Sequence, residues 1–522
     1  MAVFCLLVIL ISCSLAADEF YSSIGRMTEL LYTEQQLLAS LNDYIQAEEN
    51  KLETVKRWSE SLANLSSFAI KNPERFLSHP VNAFKFLKRM NREWRDLEGL
   101  VRSNVSDGFV SNFNSRSEHL PNDDDLTGVA EALVRLQDTY QLDTDTMAKG
   151  KLPGTSLLLS NLTVEDCYDV GIAAYRDNDF YHTELWMAQA LRQLEQGETP
   201  ENVDAGILLD YHSFVLYKQG DLKSALVSTK RLLEIDPENE RANQNLKYFE
   251  EHLAKQQTGE ETLKKGRAPY NNVYERLCRG NSMEMTPLRQ SLLSCRYHDN
   301  HGHPNLLIAP FKEEELWDQP RIVRYYDIVS EEDMAIYKAL AQPRLMRSKV
   351  RDGKTEKSYP VRTRVSQNAW LKDRDHERVG RMVRRIGEIT GLDMSTAEDL
   401  QVANYGVGGQ YEPHVDFQRF SVNESVEPYA HLGTGNRIAT WLLYISDVQA
   451  GGATVFPNVG AIAWPIKGSA VFWYNLLPDG QGNYETQHAA CPVLVGSKWV
   501  ANKWLHERGQ EFRRRCGLQS ST

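Results

Sequence analysis

His414 and Asp416, in the run Tyr411-Glu412-Pro413-His414-Val415-Asp416, are two metal-ligand side chains separated by one residue. Gly406, Gly408, Gly409 and Pro413 oppose a helix at this point, and the aromatic and β-branched residues that follow suit strands. Alternate side chains of a strand share a face, so His414 and Asp416 are expected to project together while Val415 turns away. A third ligand has to come from elsewhere, and His488 opens a second strand-like apolar run that continues through Val495. Two imidazoles and one carboxylate, with coordination positions left open, suit a non-haem Fe(II) that takes oxygen and a co-substrate. A His-x-Asp pair recurs by chance and decides nothing alone. The combination gains force from Lys498, flanked by Val495 and Trp499, because a lone cation among apolar residues needs an anion.

The elements that must position these residues fall in the C-terminal part. From Pro320 onward, short apolar runs alternate with turns, with one helical segment near residues 377–391. Strands around residues 441–445, 453–456 and 470–474 fit a double-stranded β-helix, a jelly roll with flanking helices over residues 291–522 that holds a metal in its mouth. His298, His301 and His303 crowd near Cys295, but their spacing matches no zinc finger and they are expected as solvated loop residues. Residues 256–290 are charged and contain glycine, as a linker does.

Upstream, residues 157–255 have the spacing of helical repeats. Gly220 lies between two helices, Ala225 sits where they cross, and Pro237 ends the unit, as in a tetratricopeptide repeat; residues 167–194 form a degenerate earlier copy. Tyr168, Tyr175, Tyr181, Tyr211 and Tyr217 are spread through it. Each alone is a plausible core residue. As a set they suggest an aromatic groove for polyproline II, whose flat rings dock with little ordering cost. Residues 17–150 are polar, poor in glycine and helical, with Leu31, Leu38, Ile45 and Leu52 at heptad spacing, Leu41 and Val55 at the companion positions, and Glu34 and Glu48 interrupting. That seam fits either a coiled coil or a helix packed in its own bundle. Residues 1–16 read as a secretory signal peptide cleaved before Ala17, although no Lys or Arg precedes the apolar core. The whole is a multidomain α+β chain: a helical or coiled-coil N-terminal region, a repeat domain and a jelly roll.

The 522 residues exceed one ordinary core, and a net charge of −12 with pI about 5.6 argues against non-specific nucleic-acid binding. No later stretch is apolar enough to span a membrane.

Three stretches carry a family resemblance: LQVANYGVGGQYEPH at residues 400–414, GTGNRIATWL at 433–442 and CPVLVGSKWVANKWLHERGQEF at 491–512. They closely resemble the α subunit of animal collagen prolyl 4-hydroxylases, and the resemblance extends over nearly the whole chain. It implies hydroxylation of peptidyl proline to 4-hydroxyproline in collagen-like chains, coupled to conversion of 2-oxoglutarate to succinate, with Fe2+, O2 and L-ascorbate. On that basis His414, Asp416 and His488 hold the metal and Lys498 pairs with the distal carboxylate of 2-oxoglutarate, as a point charge rather than a guanidinium fork. Residues 157–255 become the peptide-substrate-binding domain, with Tyr168, Tyr175, Tyr211 and Tyr217 as contacts. The N-terminal helices become a dimerising coiled coil. Protein disulfide isomerase is the implied β subunit of an α2β2 tetramer held in the endoplasmic reticulum lumen, since the chain ends without a Lys-Asp-Glu-Leu type signal.

Past the signal, five cysteines remain, so at least one thiol is free. Cys278 with Cys295 and Cys491 with Cys516 close loops of modest length, and the resemblance supports both bridges. Asn64, Asn104, Asn161 and Asn423 head N-glycosylation sequons. Two other readings stay open: a related secretory dioxygenase acting on lysine or on a non-collagen proline, and a peptide-binding scaffold whose barrel is inert.

Overall fold

Helix-starting side chains punctuate the middle of the chain. Asn122 caps Asp123–Tyr140 and Thr163 caps Val164–Arg176, each closing a capping box with an aspartate three residues on. Asp179, Asp204 and Asp221 cap Phe180–Glu195, Ala205–Lys218 and Leu222–Ile235, each carboxylate accepting from the backbone N–H three residues on. The helices from Val164 to Ile235, with Glu240–Gln257, form the expected repeats. Gly220 makes the turn at φ 85°, and Ala225 is fully buried at the crossing. The computed structural model describes residues 20–47, 52–96, 98, 107–117, 120–154, 161–257, 272–283, 285–351, 358–418, 433–514 and 516–517. Residues 1–16, Asn104 and Asn423 lie outside them; Asn64 and Asn161 are exposed.

The N-terminal seam packs inside the chain. Leu31, Leu38 and Leu41 of helix Ile24–Ala47 are buried in one core with Phe84, Val129 and Leu133. Glu34, which interrupts the seam, is fully buried and ion-paired to Arg89, so the break is a polar lock rather than a solvated position. The side chains of Ile45, Leu52 and Val55 are outside the described set. Of the two readings left open, the described part of the seam follows the helix in its own bundle.

The C-terminal region is a sheet sandwich. Nine strands lie in the order Cys295–His298, Phe311–Trp317, Ile322–Tyr325, Ala470–Tyr474, Arg437–Tyr444, Lys498–His506, Leu400–Tyr405, Gln367–Leu371 and Met346–Arg347. A smaller sheet runs Ala461–Ala463, Thr454–Phe456, His488–Ala490 and Tyr411–His414. The face of the large sheet turned away from the small sheet buries Val402, Trp441, Leu443, Phe472 and Ala501, and helix Glu377–Thr390 packs Val379, Met382 and Ile386 into the same core, while Leu442, Tyr444, Trp473 and Val500 face the small sheet. Gly391, in the left-handed conformation at φ 72°, ends that helix.

Two joints tie the helical part to this sandwich. Residues 20–25 lie along the barrel: Ser23 Oγ and the Gly25 amide both donate to Asn404 Oδ1, at 2.8 and 2.9 Å, and the Val407 amide donates to the Tyr21 carbonyl. The approach is so close that a Cβ at Gly406 would lie 1.9 Å from the Tyr21 oxygen. At the second joint, within the stretch 256–290 expected as a linker, residues 273–278 are instead docked, and residues 258–271 lie outside the described set. Helix Val273–Cys278 buries Tyr274, Leu277 and Cys278 against the small sheet, because its apolar side has Val455, Ala489 and Cys491 to cover.

Candidate active site

The small sheet brings the three candidate ligands together. Strands Tyr411–His414 and His488–Ala490 pair antiparallel with His414 opposite His488, and the imidazole centroids are 4.4 Å apart. The four residues Tyr411–His414 face the three of His488–Ala490, an irregular register over a stretch that includes Pro413, which has no N–H for the ladder. Tyr411 thereby stacks on His414 at 3.5 Å between centroids. Asp416 lies past the strand end, in a bend, so the bend and not simple alternation carries its carboxylate to the histidines. His414 Nε2 is 3.8 Å from Asp416 Oδ1 and His488 Nε2 is 3.5 Å from Oδ2; all three ligand atoms fall within 4.8 Å of one another.

Neighbouring groups set the charge state a divalent metal requires. His414 Nδ1 donates to the Glu412 carbonyl at 2.8 Å and His488 Nδ1 to the Thr486 carbonyl at 3.0 Å. Because a carbonyl only accepts, these bonds fix the proton on Nδ1 and leave each Nε2 lone pair facing Asp416. Burial, reinforced by His488, pushes the His414 imidazolium down to about 3. Burial alone would raise the Asp416 carboxyl, but His488, His414 and Arg437 outweigh it and keep the group ionised. Thr440 Oγ1 donates to Asp416 Oδ2 at 2.7 Å, and Asn475 Nδ2 donates in turn to Thr440 Oγ1 at 2.9 Å.

Lys498, at 1 % exposure, begins the central strand and faces the same cavity as the ligands, with Thr454, Leu442 and Tyr405 around it. Its Nζ lies 4.9 Å from the Tyr405 ring centroid, and among the described residues no carboxylate pairs with it. Burial lowers its pKa to about 7. An open cationic end beside a His, Asp, His triplet fits a metal together with an anionic co-substrate.

The repeat tyrosines divide. Tyr175 meets Tyr211 at 5.1 Å, Tyr168 meets Tyr211 at 6.0 Å, and Phe180 and Phe214 join them at 6.1 and 6.0 Å from Tyr175, all half-buried. Tyr217 stands apart, bonded through its hydroxyl to Tyr248 and packed on Phe249 at 5.2 Å. Tyr181 packs on His182 instead. Phe180 and Phe214 escaped the sequence reading; Phe214, one turn beyond Tyr211, carried a visible signal. Thr440 escaped too, though a hydroxyl in the apolar run Ile438-Ala439-Thr440-Trp441-Leu442-Leu443 marks a buried donor.

The cysteine pairing is corrected. The bridge joins Cys278 to Cys491, with Cα atoms 5.5 Å apart and the residues 213 positions apart in sequence, while Cys295 and Cys516 are exposed free thiols and Cys167 is buried and free. Short loops favour pairing by sequence proximity. The docked helix Val273–Cys278 instead lays its last residue beside the strand that follows His488. The histidine cluster also differs from expectation, since His298 is not solvated: its Nδ1 lies 3.1 Å from buried Glu313 and its Nε2 donates to the Ile389 carbonyl.

Family models match in three places. Residues 400–506 match the 2OG-Fe(II) oxygenase superfamily, the class that the sandwich and the triplet define and one that implies Fe2+ and 2-oxoglutarate. Residues 23–154 match the prolyl 4-hydroxylase alpha-subunit N-terminal region, and 164–255 the prolyl 4-hydroxylase peptide-substrate-binding domain. Prolyl 4-hydroxylase subunit alpha-1 of Homo sapiens is 55% identical over 526 residues, 98% of each chain. Its Caenorhabditis elegans counterpart is 40% identical over 99% of this chain and 93% of that protein. A viral collagen prolyl hydroxylase structure from Paramecium Bursaria Chlorella virus-1 aligns at 23% identity and TM-score 0.28, over 35% of this chain and 94% of that one. The chain belongs to the prolyl 4-hydroxylase alpha-subunit family. Among the described residues no helix is long and apolar enough to cross a membrane.

Proposed function

We propose that this chain hydroxylates peptidyl proline at C4 in collagen-like, proline-rich polypeptides, with 2-oxoglutarate converted to succinate. Lys498 carries the reading: a buried ammonium with no carboxylate partner among the described residues, open to the cavity of His414, Asp416 and His488. When bound, ferrous iron with 2-oxoglutarate and oxygen supplies the oxidant that replaces a C–H bond by C–OH. The chain's own groups do the rest. His414 Nε2, His488 Nε2 and one Asp416 oxygen would hold the metal, a three-ligand set that suits ferrous iron with room for co-substrates. Thr440 occupies the second oxygen's lone pair and fixes the carboxylate. The Lys498 ammonium orients 2-oxoglutarate through its distal carboxylate. Trp473 and Phe456, beside His488, keep water from the reacting carbon. Tyr168, Tyr175 and Tyr211, with Phe180 and Phe214, hold proline rings upstream.

Membership of the family supports the rest of the assignment: L-ascorbate as the reductant that restores ferrous iron, protein disulfide isomerase as β subunit in an α2β2 assembly, and residence in the endoplasmic reticulum lumen after removal of residues 1–16. Exposed Asn64 and Asn161 are the glycan sites within the described residues. Alanine at His414, Asp416 or His488 should abolish bound iron, hydroxylation and peptide-free 2-oxoglutarate turnover. Succinate release is measured against proline-rich, Gly-X-Y and lysine-containing peptides. Normal iron content in any of the three variants, or turnover with lysine peptides only, overturns the assignment.

A further inference from the structure

A second cavity of about 610 Å³ lies outside the metal site, where three parts of the chain meet. Helix Asp123–Tyr140 contributes Glu131 and Arg135, the repeats contribute Asp177, and the barrel contributes Glu412, Pro413 and Gln487. Its two ends are telling. Pro413 and Gln487 immediately precede His414 and His488 in sequence, so one end of the cleft abuts the small sheet that carries both histidines. Asp177 sits in the turn between Tyr175 and Phe180, whose rings are 6.1 Å apart in the aromatic cluster, so the other end begins where that cluster stops. Arg362 spans the gap, pairing with Glu131 at 3.3 Å and Asp177 at 2.7 Å, and fixes the repeats against the helix.

Arg135 is the unusual group. Its Nε donates to the Gly408 carbonyl at 2.9 Å, but its Nη2 is buried without a hydrogen-bond partner among the described residues. An unmade bond of this kind is unfavourable, more so where the group is charged, so it marks a donor that a ligand completes. Proline has a carbonyl and no N–H, and the polyproline II backbone leaves its carbonyls unbonded. A proline-rich chain therefore presents mostly acceptors, which a buried guanidinium N–H matches.

We propose that this cleft is the passage of the substrate chain, in which Arg135 donates to a backbone carbonyl of the segment lying between the residues held by the aromatic cluster and the proline presented to the metal ligands. The inference rests on the peptidyl-proline reading above. It makes the cleft a binding site for long substrates only, since a peptide too short to reach from the metal ligands to Arg135 enters by the barrel mouth alone.

Two experiments test it on the assembled holoenzyme. In the first, a long proline-rich peptide carries a photoreactive side chain several residues from its target proline and is irradiated on the unmodified protein. Labelling should fall on residues 131–138, 362 or 412–413, and labelling confined to other surfaces overturns the passage. This readout does not require turnover, so labelled cleft residues support the passage even if no proline is hydroxylated, an outcome that would count against the proposed function instead. In the second, Arg135→Lys and Val134→Trp, the latter filling the cleft, are compared with wild type by the ratio of kcat/KM for a long peptide to that for a short one. The ratio should fall about tenfold in both. An unchanged ratio in a variant that retains wild-type melting overturns the proposal.

Discussion

Replacing Lys498 by Met should make the iron-free protein more stable and the enzyme nearly useless. The ammonium is buried at 1 % exposure, has no carboxylate partner among the described residues, and has its pKa lowered from 10.5 to about 7 by burial. At about 1.4 kcal/mol per tenfold change in proton affinity, holding the proton at pH 7 costs the empty protein about 4 kcal/mol. Relaxation around the ammonium recovers part of that, so Lys498→Met should gain about 2 kcal/mol. The sign of the pH dependence follows from proton counts. Between pH 7 and 10.5 the unfolded chain holds the Lys498 proton more fully than the folded one, so wild-type stability rises with pH through that window. The advantage of the Met variant is thus greatest at and below pH 7 and closes towards pH 10.5. Catalysis moves the other way: half-saturation by 2-oxoglutarate should rise on the order of a hundredfold, with iron content unchanged. Melting of iron-free protein across pH, beside 2-oxoglutarate titrations of the loaded enzyme, checks both. Equal stability of the two proteins, a gap indifferent to pH, or an unaltered saturation curve would refute the reasoning.

Thr440→Val keeps the shape but removes the donor to Asp416, and should weaken iron binding about tenfold or more in a metal titration, with Thr440→Ser restoring it. Affinity equal to wild type in the Val variant would remove Thr440 from the metal's support. Gly406→Ala places a methyl on the Tyr21 carbonyl and should cost about 3 kcal/mol or more, or release residues 20–25 to limited proteolysis; an unperturbed melting point and digest would contradict the close approach. Tyr211→Ala should weaken long proline-rich substrates, whereas Tyr217→Ala, which strips packing from Tyr248 and Phe249, should lower the melting point of the repeats more than it affects substrate. Loss of long-substrate affinity from Tyr217→Ala alone would reverse these roles.

How much of this was legible in the chain depends on the range of the interaction concerned. His414, Asp416, His488 and Lys498 declared themselves because their chemistry is out of place among apolar, strand-forming neighbours. The repeat was visible through local turn and cap residues such as Gly220 and Asp221. What stayed hidden depends on partners far away in sequence. Cys491 is expected to pair with Cys516 across a short loop and instead joins Cys278, because a helix expected as linker docks on the small sheet. Gly406 reads locally as a helix breaker, yet its need to lack a side chain comes from Tyr21, far away in sequence. Tyr211 and Tyr217 look equivalent in sequence, and only the folded chain separates them into different ring clusters, Tyr211 with Tyr168 and Tyr175 and Tyr217 with Tyr248 and Phe249. The bend that delivers Asp416 is a tertiary fact that strand alternation cannot supply.

The contact of Ser23 with Asn404 has a temporal side. The two residues are 381 positions apart, and ribosomes add about 5–20 residues per second, so Ser23 is made roughly 20–80 s before its partner exists. Throughout that interval Ser22, Ser23 and Gly25, whose polar groups the finished barrel will satisfy, have nothing of the barrel to bond to. The first stretch of the described chain to be synthesised is therefore among the last to be locked in place, and the nascent protein spends most of its synthesis with an unclosed seam.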